Sequence, residues 1–462
     1  MSTISSLGVG SGLDLSGLLD QLRDAERGKL EPIERQRAQQ QAKISAFGQL
    51  QSSLTSFRDK VATLNSASLF QSLSANVGGD AFKATTSKAA MPGSYSIEVN
   101  QLSRAGNLAT QRVSAADTAI VGGADQTLTL TFANANTVDV DIAAGSSLED
   151  IRDAINAKGN AGVSASIIND GNGYRLALSS TASGADASIA STNFMDILNQ
   201  DSVDEITADA TNQTAFQPGQ DAELNINGIA ITSPTNRVEG AIQGVTLNLQ
   251  SVTAENQPIS MKVEQDTLRV REAINGFVKA FNDLKGTMGS LTSFNAETGE
   301  AGDLNGDGAV RTIDARLRGA LTGGVGEGEM RMLSDIGIRL QRDGTLKVDD
   351  ERLNELVSGD MAGLGAFFAG NNQAGGLAGA LSSTLGQLLD DNGVLKSSIS
   401  SAEGRVSSLN DRYSRMEQTI ERTIARYRTQ FGQLDSMIAR MNQTSDYLTQ
   451  QFDNMNAQLG RR

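Results

Sequence analysis

The chain of 462 residues contains no histidine, no cysteine and no tryptophan, and aromatic side chains make up only 4% of it. Without histidine and cysteine, the usual zinc sites and the catalytic triads that depend on histidine cannot be built. Thiol chemistry and disulfide bonds are excluded as well, so the sequence does not indicate a redox compartment. Carboxylate, lysine and tyrosine chemistry stays open, but the commonest proton shuttle is missing. We therefore expect no enzymatic activity and no cofactor.

Positive charge and long apolar runs are also scarce. The formal net charge is −15, which argues against nucleic acid and against anionic membrane surfaces as partners. No stretch of about 18 apolar residues occurs, so we expect no membrane insertion. The start, Met1–Leu7, lacks the basic and apolar regions of a secretory signal peptide. The protein is expected either to stay in the cytoplasm or to leave through a dedicated export channel.

Both ends of the chain carry a helical pattern. Asp14 is an expected N-cap, and Pro32 is expected to restart the first helix. Apolar residues three and four apart follow at Leu15, Leu18, Leu19 and Leu22, and then at Ile44, Phe47, Leu50, Leu54, Phe57, Val61 and Leu64. The same spacing runs from Val406 to Leu459, with a stutter at Met416–Ile420–Ile424. Because no proline interrupts this second run, it predicts one very long helix that must bury its stripe against partners.

The middle of the chain changes to the period of β-strands. Alternating apolar residues predict strands around 95–99, 128–132, 138–142, 163–167, 174–178, 224–231, 245–249 and 259–263. Asn227-Gly228 is typical of a two-residue hairpin. Ser146 with Glu149 predicts a capping box ahead of a short helix. The stretch 181–219 is interpreted as a surface loop with little core, and the helical period returns after Asp266.

These periods predict an α+β multidomain fold in which β-rich domains are inserted between helical termini. We expect coiled-coil legs from both termini, a helical or mixed neck, and two β-rich head domains in the middle. The predicted parts are a leg of 1–40 with 430–462, a neck of 41–75 with 266–429, a head domain of 76–112 with 215–265, and an outer head domain of 113–214.

Several short motifs resemble one bacterial family when they are taken in order. The motifs near the amino terminus are Leu7-Gly-Val-Gly-Ser-Gly-Leu-Asp14 and Gly93-Ser-Tyr-Ser-Ile-Glu-Val-Asn-Gln-Leu102. They resemble the flagellar filament cap protein, also called hook-associated protein type two (the FliD family). The later motifs are Ile226-Asn-Gly-Ile229, Thr235-Asn-Arg-Val238, Gly244-Val-Thr-Leu247 and Leu333-Ser-Asp-Ile-Gly-Ile338. Residues 147–168 look like the inserted repeat of flagellins, expected at about 125–180. Val9 departs from the pattern, since leucine is usual there.

The resemblance implies a function in filament assembly. It implies a ring-shaped homo-oligomer, a plate at the distal filament tip that retains exported flagellin and promotes its folding and polymerisation. Implied partners are a second copy, flagellin, hook-associated junction proteins, the flagellar type III export apparatus and an export chaperone. The implied location is extracellular, after export without a cleaved signal peptide. Adhesion to host surfaces is an additional role open to an exposed cap.

Three other functions stay open. A flagellin or a hook–filament junction protein shares the helical termini. A secreted calcium-dependent adhesin would use the β-rich head. An enzyme acting through carboxylates is a further class, which the missing histidine and the lack of a paired-acid motif disfavour.

One motif points to a metal. The run from Asp303 to Gly308 has the Asp-x-Asn-x-Asp-Gly start of a calcium loop, and Asp314 stands where an EF-hand places its bidentate glutamate. The candidate ligands are Asp303, Asn305, Asp307 and Asp314. Aspartate is shorter than glutamate, so the alternative is an Asx-rich turn before a helix, and we expect no metal.

The assembly surface is expected at the extreme ends of the chain. Chain ends contribute little to a self-contained core, so their apolar stripes favour packing between subunits. By contrast, we expect the apolar stripe of residues 44–64 to pack against that of residues 406–438 as ordinary core within one chain. The predicted assembly residues are Leu7, Leu15, Leu18, Leu22, Ile438, Met441, Leu448, Phe452 and Leu459.

Overall fold

The longest element of the computed structural model is a single helix of 66 residues, Val394–Leu459. The structure describes residues 12–325, 329–370 and 375–460. In chain order the helices are α1 Leu15–Arg27, α2 Glu31–Leu64, α3 Ala67–Phe70, α4 Leu148–Ala157, α5 Gln200–Ala208, α6 Thr267–Thr292, α7 Gly308–Thr322, α8 Asp350–Gly359, α9 Met361–Phe368, α10 Leu377–Leu389 and α11 Val394–Leu459. None of the helices in these ranges is both long and apolar enough to span a membrane.

Strands occupy the middle of the chain, with one further pair near residue 340. In chain order they are β1 Leu73–Val77, β2 Phe82–Thr86, β3 Gly93–Gln101, β4 Ala105–Ala109, β5 Gln126–Phe132, β6 Thr137–Ile142, β7 Val163–Asn169, β8 Tyr174–Ser183, β9 Ile189–Thr192, β10 Ala215–Gln217, β11 Ala222–Ile226, β12 Ile229–Ser233, β13 Arg237–Ile242, β14 Val245–Leu249, β15 Ile259–Gln265, β16 Ile338–Leu340 and β17 Leu346–Val348. The predicted α+β fold, with helical ends and β-rich domains between them, is confirmed.

The chain divides into two compact units. One holds the residues up to Ala67 together with those from Arg269 onward, and the other is Ser68–Leu268. Each is compact by itself, as expected for an insertion between two helical ends. The finer division into leg, neck and two head domains stays a prediction.

The helical unit is built on apolar stripes at helical spacing. Asp14 caps α1, because its Oδ1 accepts a hydrogen bond from Gly17 N at 2.8 Å. Pro32 lies in the first turn of α2, where its missing N–H costs nothing, so the helix restarts there as predicted. The fully buried ring of Phe57 lies 5.5 Å from the ring of Phe277 and 5.6 Å from that of Phe281. These aromatic contacts join α2 and α6 in one core.

The inserted unit contains two apolar cores. The first lies in a five-stranded sheet of order β1-β15-β3-β11-β12 and a three-stranded sheet β13-β14-β2. The second lies among the sheets β10-β4-β8-β7 and β6-β5-β9 and the helices α4 and α5. The predicted hairpin is confirmed: Asn227 and Gly228 have φ of 53° and 85°, the positive values of a type I′ turn.

Two sequence predictions for this unit were wrong. The stretch 181–219 is not a loop with little core, because it forms β9, a 3-10 turn and α5, and buries Ile189, Phe194 and Ile197. Its apolar residues show no clear period, yet Ile189, Phe194 and Ile197 are buried, whereas Phe216 is exposed. The capping box is formed by Ser147 and Asp150 rather than by Ser146 and Glu149, because aspartate replaces glutamate as the returning side chain.

A cluster of charged side chains at the surface links the end of the second core to its sheet. Arg175 Nε donates to Asp170 Oδ2 at 2.8 Å, and Arg112 Nη2 donates to Asp209 Oδ2 at 3.1 Å. Both guanidinium groups are largely buried. The hydrogen bond from Arg175 holds the pKa of Asp170 below its usual value. Because the pKa of Asp170 is lower in the folded state, its hydrogen bond with Arg175 stabilises the fold at pH values above the unfolded pKa. This stabilisation is lost as the pH falls through the folded pKa.

Truncation of the phenyl core should destabilise the helical unit. Phe57→Ala leaves a cavity between α2 and α6 and should lower the free energy of unfolding by about 3–5 kcal/mol. Phe294→Ala is the matched control, since this ring is exposed and should change little. Urea unfolding followed by helical circular dichroism measures both. Equal effects would show that Phe57 is not packed as described.

Loss of the Asp170 carboxylate should matter only where it is ionised. Asp170→Asn leaves Arg175 without its charged partner and should lower the melting temperature of the inserted unit at pH 7. The difference from wild type should shrink below about pH 4, near the unfolded pKa of aspartate. Calorimetry across this pH range measures it, with the exposed Asp186→Asn as control. A difference that is independent of pH would contradict the assignment.

Candidate functional site

The upper part of α11 is covered by the chain itself. Leu19 and Leu30 bury against Ile420 and Ile424 in a small apolar cluster. Leu22, Tyr413, Met416, Tyr427 and Phe431 pack around it. Leu30 packs at Ile420 and Ile424 while Arg37 contacts Asn410, so α2 runs antiparallel to α11 and the terminal stripes meet along one seam.

A polar clamp lies at the side of this seam. The guanidinium of Arg37 in α2 lies 5.6 Å from the centre of the Tyr413 ring, and its Nη1 donates to Asn410 Oδ1 at 3.4 Å. Partial desolvation raises the pKa of Tyr413, and the nearby Glu34 carboxylate adds to the shift. The phenol therefore stays neutral and serves packing.

Beyond Phe431 most of the same stripe is exposed to solvent in the described part of the chain, and Ile438 is half-buried. Leu434 is 41% exposed, Met441 is 64% exposed and Phe452 is 58% exposed. The other exposed apolar side chains here are Met437, Tyr447, Leu448 and Met455. We call residues 434–455 the open seam. An apolar stripe of this length on a helix surface marks an association surface.

The residues predicted for assembly have different positions in the structure. Met441, Leu448 and Phe452 are exposed on the open seam, and Ile438 is half-buried. Leu15 is buried and Leu22 packs in the cluster with α11, so both serve contacts inside the chain, whereas Leu18 is exposed. Leu7 and the side chain of Leu459 lie outside the described residues.

Four exposed apolar residues of the open seam were not in the predicted set: Leu434, Met437, Tyr447 and Met455. Met437 and Tyr447 lie beside the three-four spacing rather than on it. Periodicity therefore could not identify them. Only their exposure next to the open seam shows that they widen it.

Two of the four calcium candidates, Asp307 and Asp314, have carboxylate oxygens engaged by the protein. Asp307 caps α7 by accepting from Ala309 N at 2.8 Å. The Asn305 amide donates to the carbonyl oxygens of Thr292 and Ser293, both at 3.0 Å. Asp314 accepts from Lys285 Nζ at 2.5 Å and from Arg318 Nη2 at 3.1 Å. Asp303 is exposed.

This geometry fits a capped helix start better than a cation cage. The lysine ammonium stands against the aspartate that would complete a calcium loop. In the ranges that the structure describes, no group of three or more acidic residues could hold a metal ion. That the loop binds no metal stays a prediction, and the Lys285–Asp314 pair is its physical reason.

The acidic groups with perturbed pKa values are structural. Hydrogen bonds from the backbone N–H groups of Arg331 and Met332 lower the pKa of Asp335. The Thr345 hydroxyl lowers the pKa of Asp343, and the backbone N–H and hydroxyl of Ser147 lower that of Asp150. Lowered values describe stable carboxylates in turns and caps, whereas a general acid needs a raised one.

Fold and surface together define the class of the protein. Two helical termini pair along one seam, β-rich domains are inserted between them, and the final helix carries an open apolar stripe. These are the features of a structural protein.

Comparison with known proteins identifies the family. The family model of the flagellar hook-associated protein 2 N-terminus matches residues 11–106, that of its C-terminus matches residues 219–443, and the flagellin hook IN motif matches residues 127–182. Flagellar hook-associated protein 2 of Escherichia coli K12 is 37% identical, covering 98% of this chain and 99% of the relative. The Salmonella typhimurium relative is 34% identical, covering 99% and 100%. The chain belongs to the flagellar hook-associated protein 2 family.

A solved structure supports the same conclusion. The crystal structure of the flagellar cap protein FliD D1-D2-D3 domains from Escherichia coli is similar, with a TM-score of 0.61 and 33% identity. The match covers 78% of this chain and 99% of that one. The family is one of structural flagellar cap proteins and not of enzymes, so the resemblance found in the sequence is confirmed.

A charge in the open seam should impair assembly without unfolding the protein. Phe452→Asp places a carboxylate in a stripe that must become buried on docking, which is costly, while the exposed ring contributes little to the free chain. We expect swimming to fall at least about tenfold, corresponding to about 1.4 kcal/mol of lost docking. Motility-agar assays of a strain carrying only this variant measure the effect.

The control for this variant is Gln450→Asp, on the opposite side of the same helix. It adds the same charge away from the seam and should swim normally. Wild-type swimming with Phe452→Asp, or equal loss with both variants, would contradict a docking role for the open seam.

Calcium titration should give no tight site. Because Lys285 and Arg318 neutralise Asp314, we expect no calorimetric binding at micromolar calcium. Micromolar affinity that disappears in Asp303→Ala would overturn this prediction and support a calcium-dependent function.

Proposed function

We propose that this chain caps the flagellar filament. Several copies form a plate at the distal tip, retain the flagellin that arrives there, and promote its folding and polymerisation. Similarity over nearly the full length to proteins named flagellar hook-associated protein 2, and to a solved flagellar cap protein, supports capping. The protein acts outside the cell, at the flagellum.

The open seam is the observation that carries the mechanism. Residues 434–455 keep an apolar stripe in water on a helix whose upper part is already packed. Each apolar side chain that becomes buried contributes about 1.5–3 kcal/mol. Insertion of this helix among neighbouring helices at the filament tip would bury the stripe, and flagellin subunits and further copies of the chain are the partners available there.

The composition of the open seam suits reversible binding. A cap must release and dock again whenever a new subunit is added. Met437, Met441 and Met455 are adaptable side chains that fit irregular surfaces, and Ser445 interrupts the stripe with a polar group. A continuous leucine seam would bind more tightly and release more slowly.

The related alternative is a flagellin or a hook–filament junction protein. Both also bury terminal helices, so the helices do not discriminate, but the symmetry of association does. A head-to-tail interface that closes gives a ring, whereas one that does not close gives a helical filament. A filament subunit must propagate, and a cap must terminate.

The purified protein should form small closed rings at high concentration. It should not form long filaments, even when it is seeded with filament fragments. Electron microscopy and sedimentation measure this difference. Seeded growth of micrometre-long filaments from this chain alone would contradict the proposed cap function and indicate that the chain is a flagellin.

Cells without the protein should still export flagellin but lose it, unpolymerised, into the medium. Immunoblots of the culture supernatant measure the loss, and expression of the wild-type chain should restore filaments. Full-length filaments in the deletion strain would contradict capping.

A further inference from the structure

The charged residues of α11 are sorted onto the two flanks of its seam. With the seam taken as positions a and d of a heptad repeat, residues 405–459 contain seven arginines and six acidic residues. Six arginines occupy positions c and g: Arg405, Arg412, Arg415, Arg422, Arg426 and Arg440. Five acidic residues occupy positions b and e: Glu417, Glu421, Asp435, Asp446 and Asp453. The exceptions are Arg428 at e and Asp411 at f. We call the two sets the basic flank and the acidic flank.

This sorting does not stabilise the helix itself. Glu417 and Glu421 are four residues apart, as are Arg422 and Arg426. Like charges at this spacing destabilise an isolated helix by about 0.2–0.5 kcal/mol per pair, whereas opposite charges would stabilise it by a similar amount. The pattern therefore has a cost within one chain, which a partner of opposite charge on each flank would offset.

The basic flank is accessible to such a partner, although the Arg426 guanidinium lies 5.7 Å from the centre of the Tyr427 ring. All six of its arginines are exposed, and none forms an ion pair within the described ranges. Arg422 and Arg440 donate through Nε to carbonyl oxygens of their own helix, which leaves their terminal guanidinium nitrogens available. The helices α1 and α2 cover the seam at positions a and d, and Arg37 of α2 reaches Asn410 on the opposite, e side.

We propose that α11 of one copy docks beside α11 of the next copy, parallel to it, with the basic flank of one against the acidic flank of the other. The inference rests on the proposed ring and names its helical contact. Both flanks belong to every copy, so the interface is head-to-tail and repeats around a ring. Charged flanks select the partner and its orientation, as they do in coiled coils.

The axial register of the charges fits a flat ring. Arg422 and Glu421 are one residue apart and Arg415 and Glu417 are two apart. At 1.5 Å per residue, neighbouring parallel helices would bring these pairs within about 1.5–3 Å of the same height without any axial shift. Copies in a closed ring share one height, whereas copies in a helical filament are displaced along the axis.

Charge reversal on one flank tests this contact. The basic-flank variant is Arg422→Glu with Arg426→Glu, and the acidic-flank variant is Glu417→Arg with Glu421→Arg. Each turns two attractions into repulsions and should weaken association of the full chain at least about tenfold. The four-fold swap, which carries all these changes, should associate like wild type because both flanks are again complementary. Sedimentation velocity at physiological salt measures association, and circular dichroism checks that α11 stays helical.

Mixing and a control complete the experiment. An equal mixture of the two single-flank variants should associate, since each supplies the charge that the other lacks. Arg316→Glu with Arg342→Glu changes the same number of exposed arginines elsewhere and should associate normally. Added salt should weaken the wild-type assembly.

The outcomes separate this contact from the proposed function. Rings of wild-type stability from either single-flank variant, or a four-fold swap that stays dissociated while it is folded, would overturn the flank contact and leave capping intact. A wild-type chain that never forms rings would overturn the ring and this contact together.

Discussion

One constraint underlies the structure: a helix of 66 residues carries an apolar stripe along its length and must bury it. The chain buries the first part of the stripe itself, because α1 and α2, from the other end of the sequence, cover it as far as Phe431. This pairing leaves the middle of the sequence as an insertion. Domain order along the chain is thus a consequence of seam pairing.

In the described residues, most of the stripe beyond Phe431 is exposed to solvent. A soluble monomer rarely keeps a row of methionine, leucine and phenylalanine side chains in water unless they bind something. The same helix sorts its charges to either side of the stripe, so apolar burial and charge complementarity act on different faces. In the proposed cap, apolar burial would supply affinity for the tip, and the charged flanks would select the neighbouring copy and its register. The two together would give an association that is specific without being permanent.

The two cores of the inserted unit have a different role. They are closed by their own residues, and the Arg175–Asp170 pair fastens the end of the second core to its sheet. The helical unit pairs its helices through apolar residues at helical spacing, and this explains why periodicity was most informative at the two ends of the chain.

Strong local signals were enough for some features. The three-four spacing from Val406 predicted the long helix, Asn227-Gly228 predicted its hairpin, and ordered motifs identified the family, since each depends on neighbours along the chain. Residues 181–219 were misread because isolated apolar residues such as Phe194 become core only when distant strands meet around them. The calcium-like loop shows the same limit, since Lys285 reaches Asp314 from another helix. The sequence by itself determined that the final helix has an apolar stripe. Only the tertiary structure decided that, among the described residues, the stripe is covered to Phe431 and mostly exposed beyond it, because coverage depends on where another part of the chain folds back.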